Sequence, residues 1–572
     1  MTEVLAGLLA NLYSPSDVAD LCARIEHRLD GVPRRATRGH CWSESDVAMI
    51  AYADAVQREG QSPLKSLRSL VNGHFRGLVS HVHLLPFFPY TSDDGFAVSD
   101  YRTVDPVIGD WSDVMALSEE VDLIFDLVIN HASSEHPHFQ EFLRDQPPGN
   151  AYFMTATDTV DVSMVTRPRA SPLLQRFDTT GGNRWVWCTF SRDQVDWDFS
   201  NPDVLYEFVD VFVTYIERGA SWMRIDAIAY LWKRLGTQCV HLPETHSVVK
   251  ILRVVAEAIH PEFKILTETN VPLEENLSYF GNGDEAHIVY NFSLPPILLH
   301  ALLTENGSAL TGWCTSLPRL PKGCTFLNFV ASHDGIGLRP AEGILSPDQM
   351  EELVGCVVEF GGRLTHRATA DGSLSPYEAN ISLFDACRGT IKGSDGWRVP
   401  RFLVSQGIMI AMAGVPAIYY NSLLAAPNDE HGLEQTGRNR SINRRKWKAQ
   451  EIDHQFADPE SEPSQVLRAL RGMLLFRRAQ PAFHPEAEQR CIAAGDQLFV
   501  LHRTSRCGRQ VLLCIFNLTS SVIDVPWERV GVSSETRSAL RFSLGTVEDS
   551  SRGVSLDPYA MGWFELERAE LI

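Results

Sequence analysis

Eight short apolar runs rich in β-formers recur along the chain: residues 47–54 (VAMIAYAD), 80–89 (SHVHLLPFFP), 121–131 (VDLIFDLVINH), 221–228 (SWMRIDAI), 263–270 (FKILTETN), 286–293 (AHIVYNFS), 325–334 (TFLNFVASHD) and 414–421 (GVPAIYYN). Helical patterns separate them. A strand that reaches the next through a helix pairs parallel to it, and eight such units close into a (β/α)8 TIM barrel. The expected class is therefore α/β, with any active site at the C-terminal ends of the strands.

At 572 residues the chain exceeds what one barrel core needs. Two connections, at about 132–205 and 335–400, are far longer than ordinary barrel loops and predict inserted subdomains that carry function. The first contains SMVTRPRASPLL and RWVWCTFSRDQVDWDFSNP, and the second ends in DGSLSPYEAN. Beyond about 488 the pattern changes to alternating segments such as QLFVLHRT, QVLLCIFNLT and MGWFEL, which predict an antiparallel β domain. The expected division is an N-terminal helical segment over 1–45, a catalytic barrel with its insertions over 46–487 and a C-terminal β domain over 488–572.

Composition narrows the partners. With 51 basic against 72 acidic residues the net charge is −21, which argues against nucleic acid or an anionic membrane surface as a partner. Any anionic ligand then needs a local cationic site. Eleven cysteines lie scattered with no C-x-x-C pair, a pattern expected of reduced thiols in a cytoplasmic protein, with no zinc site. The N-terminus MTEVLAGLLANLYSPSDVAD has no basic n-region, and no segment approaches the ~18 consecutive apolar residues of a membrane span.

Within the eight runs, charged residues sit where strands end. Arg224 and Asp226 are two apart in MRIDAIAY and so share a strand face, Glu268 ends the fifth run, and His333 and Asp334 end the seventh. A buried Arg–Asp ion pair is the structural alternative for the first, and a helix cap or loop acceptor for each of the others. Three carboxylates on one barrel rim, with His131 closing the third run, instead point to catalysis.

The motifs LPFFPYTSDDGFAVSDY, DLVINH, MRIDAIAY, TETN and ASHDG resemble those of the α-amylase-type glycoside enzymes over nearly the whole chain. The resemblance implies Asp226 as nucleophile, Glu268 as acid/base and Asp334 as transition-state stabiliser. Retaining chemistry needs one ionised carboxylate to attack C1 and one protonated carboxyl ~5 Å away to protonate the departing oxygen. Arg224 is expected to hold Asp226 ionised while Glu268 keeps a higher pKa.

Further motifs, TRPRASPLL, CTFSRDQVDWDFSNP, YNFSLPP, SPYEAN and GRNRSINRRKW, are similar to the sucrose phosphorylase group of that family, and within it to the glucosylglycerate phosphorylases. That implies Asp93 and Arg440 on the outer hydroxyls of glucose, Phe96 stacked on its face, and His131 and His333 on inner hydroxyls. It also implies Arg169 of the RPR motif at the phosphate with Tyr377 as its companion; Phe190, Tyr230 and Glu378 complete the expected substrate-binding set. Where sucrose phosphorylases carry aspartate and glutamine around that tyrosine, this chain has Ser375 and Glu378, a departure from the residues that the resemblance ties to fructose recognition.

The expected activity is reversible conversion of 2-O-α-D-glucosyl-D-glycerate and phosphate to α-D-glucose 1-phosphate and D-glycerate. A sucrose or sucrose 6'-phosphate phosphorylase, an α-glucosidase or transglucosidase, and a non-catalytic sugar-binding barrel are the alternatives. Inorganic phosphate is co-substrate and no cofactor is expected; the partners are small molecules, and the protein is a monomer or homodimer. Asn130 offers one oxygen to a calcium ion, but no dense Asp/Asn cluster in 132–205 completes a shell of six to eight oxygens, so no metal is expected.

Overall fold

The computed structural model describes residues 1–34, 42–169, 171–368, 374–533 and 537–567. Cys41, Ala170 of the TRPRASPLL motif, residues 371–373 of DGSLSPYEAN and the ends of two expected domains, at 35–41 and 568–572, lie outside the described residues.

The eight runs form eight parallel strands: β1 (Ala48–Ala51), β2 (His81–Leu84), β3 (Asp122–Leu127), β4 (Ala220–Ile225), β5 (Lys264–Thr267), β6 (Ile288–Tyr290), β7 (Thr325–Asn328) and β8 (Val415–Tyr419). They hydrogen-bond in sequence order, and β8 pairs back onto β1 to close a barrel. The strands read as apolar runs rather than alternating ones because both faces are covered, by the barrel interior and by helices. Met49, Val82, Ile124, Phe125, Met223, Ile265, Val289 and Leu327 are all buried.

Each crossover helix delivers the next strand. Pro202–Glu217, ahead of β4, is started by Asn201, whose side chain accepts from Asp203 N at 3.0 Å, and by Pro202 in the first turn. It buries Val204, Leu205, Phe208, Val209 and Phe212 along one face.

The ends of β4 and β5 differ in detail from a uniform strand reading. β4 stops at Ile225, and Ala227 adopts a left-handed conformation (φ 46°, ψ 32°), so Asp226 sits at the break rather than within the strand. The ladder still reaches past both ends: Asp226 N donates to Leu127 O at 3.2 Å and Glu268 N to Ile225 O at 3.1 Å. These bonds fix the two carboxylate-bearing residues against neighbouring strands.

Both long connections contain their own structure. The first pairs His131–Ser133 antiparallel with Gln194–Asp196 and adds a three-stranded sheet of Thr155–Ala156, Gly182–Trp187 and Leu174–Thr179. The second has a three-stranded sheet in the order Ile336–Gly337, Leu374–Asn380, Arg363–Ala368, beside the helix Pro347–Glu359.

Helices Thr2–Leu9 and Pro15–Asp30 precede the barrel. After it, a five-stranded and a three-stranded antiparallel sheet form the C-terminal region from Glu488 onward. The barrel helix Arg398–Ala411 meets this region at Gly407, where a Cβ would fall 2.3 Å from Met561 Sδ; only glycine permits that approach. Every cysteine among the described residues is a free thiol, and none of the helices there is long and apolar enough to cross a membrane.

Candidate active site

Above the C-terminal ends of the strands lies a cavity with about 710 Å³ of free space, its open mouth included. Barrel residues Arg224, Asp226, Glu268, His333 and Asp334 form its floor. Asp93, Phe96 and His131 come from the loops after β2 and β3, Arg169 and Phe190 from the first insertion, Tyr230 from the turn after β4, and Tyr377 and Arg440 from the far side. The two insertions therefore meet over the three carboxylates.

Arg224 organises the floor. It pairs in register with Asp126 on β3, and its Nη1 donates both to Asp126 and, at 2.8 Å, to Asp226. Its Nη2 lies 3.9 Å from Glu268 Oε2. His83 Nε2, 2.9 Å from Asp126 Oδ2, completes a buried chain His83–Asp126–Arg224–Asp226. Glu268 Oε2 also accepts from Ala227 N at 2.9 Å, a bond that the left-handed turn makes available.

Arg224 is the cation expected beside Asp226, but it does not bring that carboxyl below the usual range. Burial, together with the charge of Glu268, pushes Asp226 above the usual carboxylate range against the pull of Arg224, because the guanidinium is shared with Asp126. Burial likewise pushes Glu268 up; Asp334 adds to this, and Arg224 and the Ala227 N–H oppose it. Asp334 behaves oppositely. Burial disfavours its charge, but the guanidinium groups of Arg440 and Arg444 outweigh that and hold its carboxyl well below the usual range.

Arg440 is a clamp on the floor. Its Nη1 lies 2.5 Å from Asp334, while Nε and Nη2 grip Glu378 at 3.0 and 2.7 Å. Glu378 is buried, does not line the cavity, and has both oxygens engaged by this arginine, so it acts on a substrate only through Arg440. Phe96 stacks on His333 with ring centroids 5.4 Å apart and planes 8° apart. Both ring nitrogens of His333 are buried without a hydrogen-bond partner among the described residues, and burial keeps the ring neutral. Asp93 Oδ2 accepts from Gln194 Nε2 at 3.1 Å, and that amide nitrogen lies 3.1 Å from His131 Nε2, which donates to Phe96 O.

The two arginines of the RPR motif part company. Arg167 turns back to the carbonyl of Ser171. Arg169 faces the cavity between aromatic rings, 5.9 Å from the Phe190 centroid and 6.0 Å from that of Tyr377, with no ion pair to any described residue. Tyr230 stands edge-on to Phe190 at 5.7 Å and closes the same wall.

Sequence reasoning missed Asp126, His83, Gln194 and Asn270. The first two lie inside strand runs that read as core, and the other two sit inside quoted motifs without a role. Asn130, the candidate calcium ligand, has its Oδ1 occupied by Lys233 Nζ at 2.9 Å, and the same ammonium lies 2.8 Å from Asp196.

Residues 77–312 match the α-amylase catalytic domain. A glucosylglycerate phosphorylase from Allomeiothermus silvanus is 41% identical over 87% of this chain and 89% of its own length. The chain belongs to the α-amylase family. A second relative, the glucosylglycerate phosphorylase of Spirochaeta thermophila, is 40% identical over 96% of this chain and 94% of its own. Among solved structures, sucrose 6F-phosphate phosphorylase from Thermoanaerobacter thermosaccharolyticum superposes with a TM-score of 0.72 at 24% identity, covering 83% of this chain and 94% of that one, which shows the shared α-amylase-family fold.

Proposed function

We propose that this α-amylase-family enzyme is a retaining glycoside phosphorylase that reversibly converts 2-O-α-D-glucosyl-D-glycerate and phosphate to α-D-glucose 1-phosphate and D-glycerate. The observation that carries the phosphorylase reading is Arg169, a cation with no ion-pair partner among the described residues, facing a cavity floored by three carboxylates in a protein of net charge −21. A hydrolase has no use for an anion site there. Glycerate is favoured by the two relatives at 41% and 40% identity.

The raised Asp226 and Glu268 share a site that retains one proton between them. Arg224 lies 2.8 Å from Asp226 and 3.9 Å from Glu268, so the proton resides on Glu268. Asp226 attacks C1 of the bound glucosyl unit while Glu268 gives its proton to the glycosidic oxygen, and glycerate leaves. Asp334, held ionised by Arg440, stabilises the oxocarbenium-like charge on the sugar. A phosphate oxygen guided by Arg169 then attacks C1 from the vacated side and displaces Asp226, and the phosphate's proton returns Glu268 to its acid form. These are nucleophilic and proton-transfer steps that the carboxylates supply, with phosphate as co-substrate.

The test is to incubate the enzyme with α-glucose 1-phosphate and a panel of acceptors including D-glycerate, fructose and glycerol. Phosphate release with glycerate, and the α-anomer of glucose 1-phosphate by NMR in the reverse direction, are expected. A β-product would overturn the double displacement, and release with fructose alone would move the activity to sucrose.

A further inference from the structure

Two residues beyond Glu268 in the TETN motif, Asn270 lines the cavity together with Arg169 and Tyr377. Its Oδ1 is buried without a hydrogen-bond partner among the described residues, although a buried amide oxygen is ordinarily satisfied. The amide is also wedged in place. A Cβ at Gly337 would lie 2.8 Å from both Nδ2 and Oδ1, so the backbone of the second insertion packs flat against it. Gly337 pairs with Glu378 in the sheet Ile336–Gly337/Leu374–Asn380, and Leu338 N donates to Tyr377 O at 3.0 Å, so the strand that orients Tyr377 also fixes Asn270.

An unpaired, immobilised acceptor calls for a donor on the ligand. The resemblance puts glucose on Asp93, Phe96, His131 and His333, which line the same cavity. The group beyond Glu268 is the departing or entering acid, whose 2-oxygen is the one that Glu268 protonates. Ionised D-glycerate then has a single donor left, its 3-hydroxyl, since the carboxylate only accepts. We propose that Asn270 Oδ1 accepts the 3-hydroxyl of glycerate and sets the enzyme's preference for a 2,3-dihydroxy acid over other hydroxy acids. The inference rests on the acceptor assigned above. A site built to bond a hydroxyl rejects the analogue that lacks it, because the buried acceptor is then stranded.

The experiment compares transfer from glucose 1-phosphate to D-glycerate and to D-lactate, which is glycerate without its 3-hydroxyl. Exchange of labelled phosphate into glucose 1-phosphate, which needs no hydroxy acid, is measured beside it. The wild type should prefer glycerate over lactate in kcat/KM by about ten- to a hundredfold. Asn270→Ser should lose that preference, to within about threefold, by losing glycerate and not lactate, with phosphate exchange within about threefold of wild type. Gly337→Ala, which displaces the amide without touching its chemistry, should give the same acceptor-specific loss. Equal losses on glycerate, lactate and exchange, or an undiminished preference in Asn270→Ser, would overturn this role. A wild type that exchanges phosphate yet transfers nothing to glycerate would overturn the acceptor itself, and the role of Asn270 with it.

Discussion

Arg224 Nη1 is shared between Asp126, its register partner on β3, and Asp226, 2.8 Å away. The strand cation is thus both a core ion pair and the electrostatic neighbour of the nucleophile, and Asp126 sets how much of its charge Asp226 receives. Asp126→Asn should cost about 3–5 kcal/mol in urea unfolding, since it breaks a buried charge network. In whatever enzyme folds, the acidic limb of the kcat/KM profile should move to lower pH, as Arg224 then serves Asp226 alone. An unmoved limb would show that Asp126 has no electrostatic hold on the nucleophile.

Asp226→Asn should lower turnover at least about 10³-fold, because an amide cannot form the glucosyl ester. Glu268→Gln should lose mainly the departure of poor leaving groups such as glycerate and keep cleavage of glucosyl fluoride, which needs no proton. Mass spectrometry of a trapped intermediate should find the glucosyl adduct on the peptide carrying Asp226, and an adduct on another carboxylate would reassign the roles.

The raised pKa of Glu268 also fixes the sign of a stability effect. In the folded enzyme Glu268 holds its proton to higher pH than in the unfolded chain, so its stabilising contribution is present at low pH and is lost as pH rises through the folded value. Glu268→Gln retains an oxygen for the Ala227 N–H and removes the charge. Its thermal midpoint should therefore exceed that of the wild type at pH 8, with the gain shrinking toward pH 4. Asp334 has the opposite sign: its depressed pKa contributes stability above the unfolded value that is lost on acidification, so Asp334→Asn should be less stable than wild type at pH 7.

Arg169→Ala should weaken phosphorolysis by roughly ten- to a hundredfold, the worth of a charge-assisted hydrogen bond of ~1.5–3 kcal/mol, and leave slow hydrolysis of the glucosyl enzyme largely intact. The ratio of glucose to glucose 1-phosphate formed at fixed phosphate reads this directly. Equal losses in both products would mean that Arg169 only shapes its loop.

Lys233 places an ammonium between Asn130 and Asp196, where a calcium ion would need their oxygens. Dialysis against EDTA should leave phosphorolysis unchanged, and Lys233→Ala should lower the thermal midpoint by stranding Asp196 in the core. Loss of activity on chelation with recovery on adding calcium would contradict this.

The eight strands and the three rim carboxylates are legible in the sequence because both are local. Strand identity follows from composition within each run, and a carboxylate at a strand's C-terminal end needs no partner to be noticed. The family motifs extend this to Tyr377 and to Arg169 as the second arginine of RPR, and of the two arginines it is Arg169 that lines the cavity while Arg167 turns back to Ser171. What the tertiary structure alone decided are relations between distant residues. Asp126 and Arg224, 98 positions apart, become partners through the register of β3 on β4. Asp126 carries no signal of its own inside DLIFDL, where it reads as a blemish in a buried strand. Lys233 reaches Asn130, Arg440 joins Asp334 to Glu378, and Gly337 pins Asn270, each across a loop closure that no periodicity encodes. The pKa values follow the same division: the type of acid is written in the chain, but its burial and the sharing of Arg224 arise only when the barrel closes, which is why Asp226 is pushed up where the sequence had it held down.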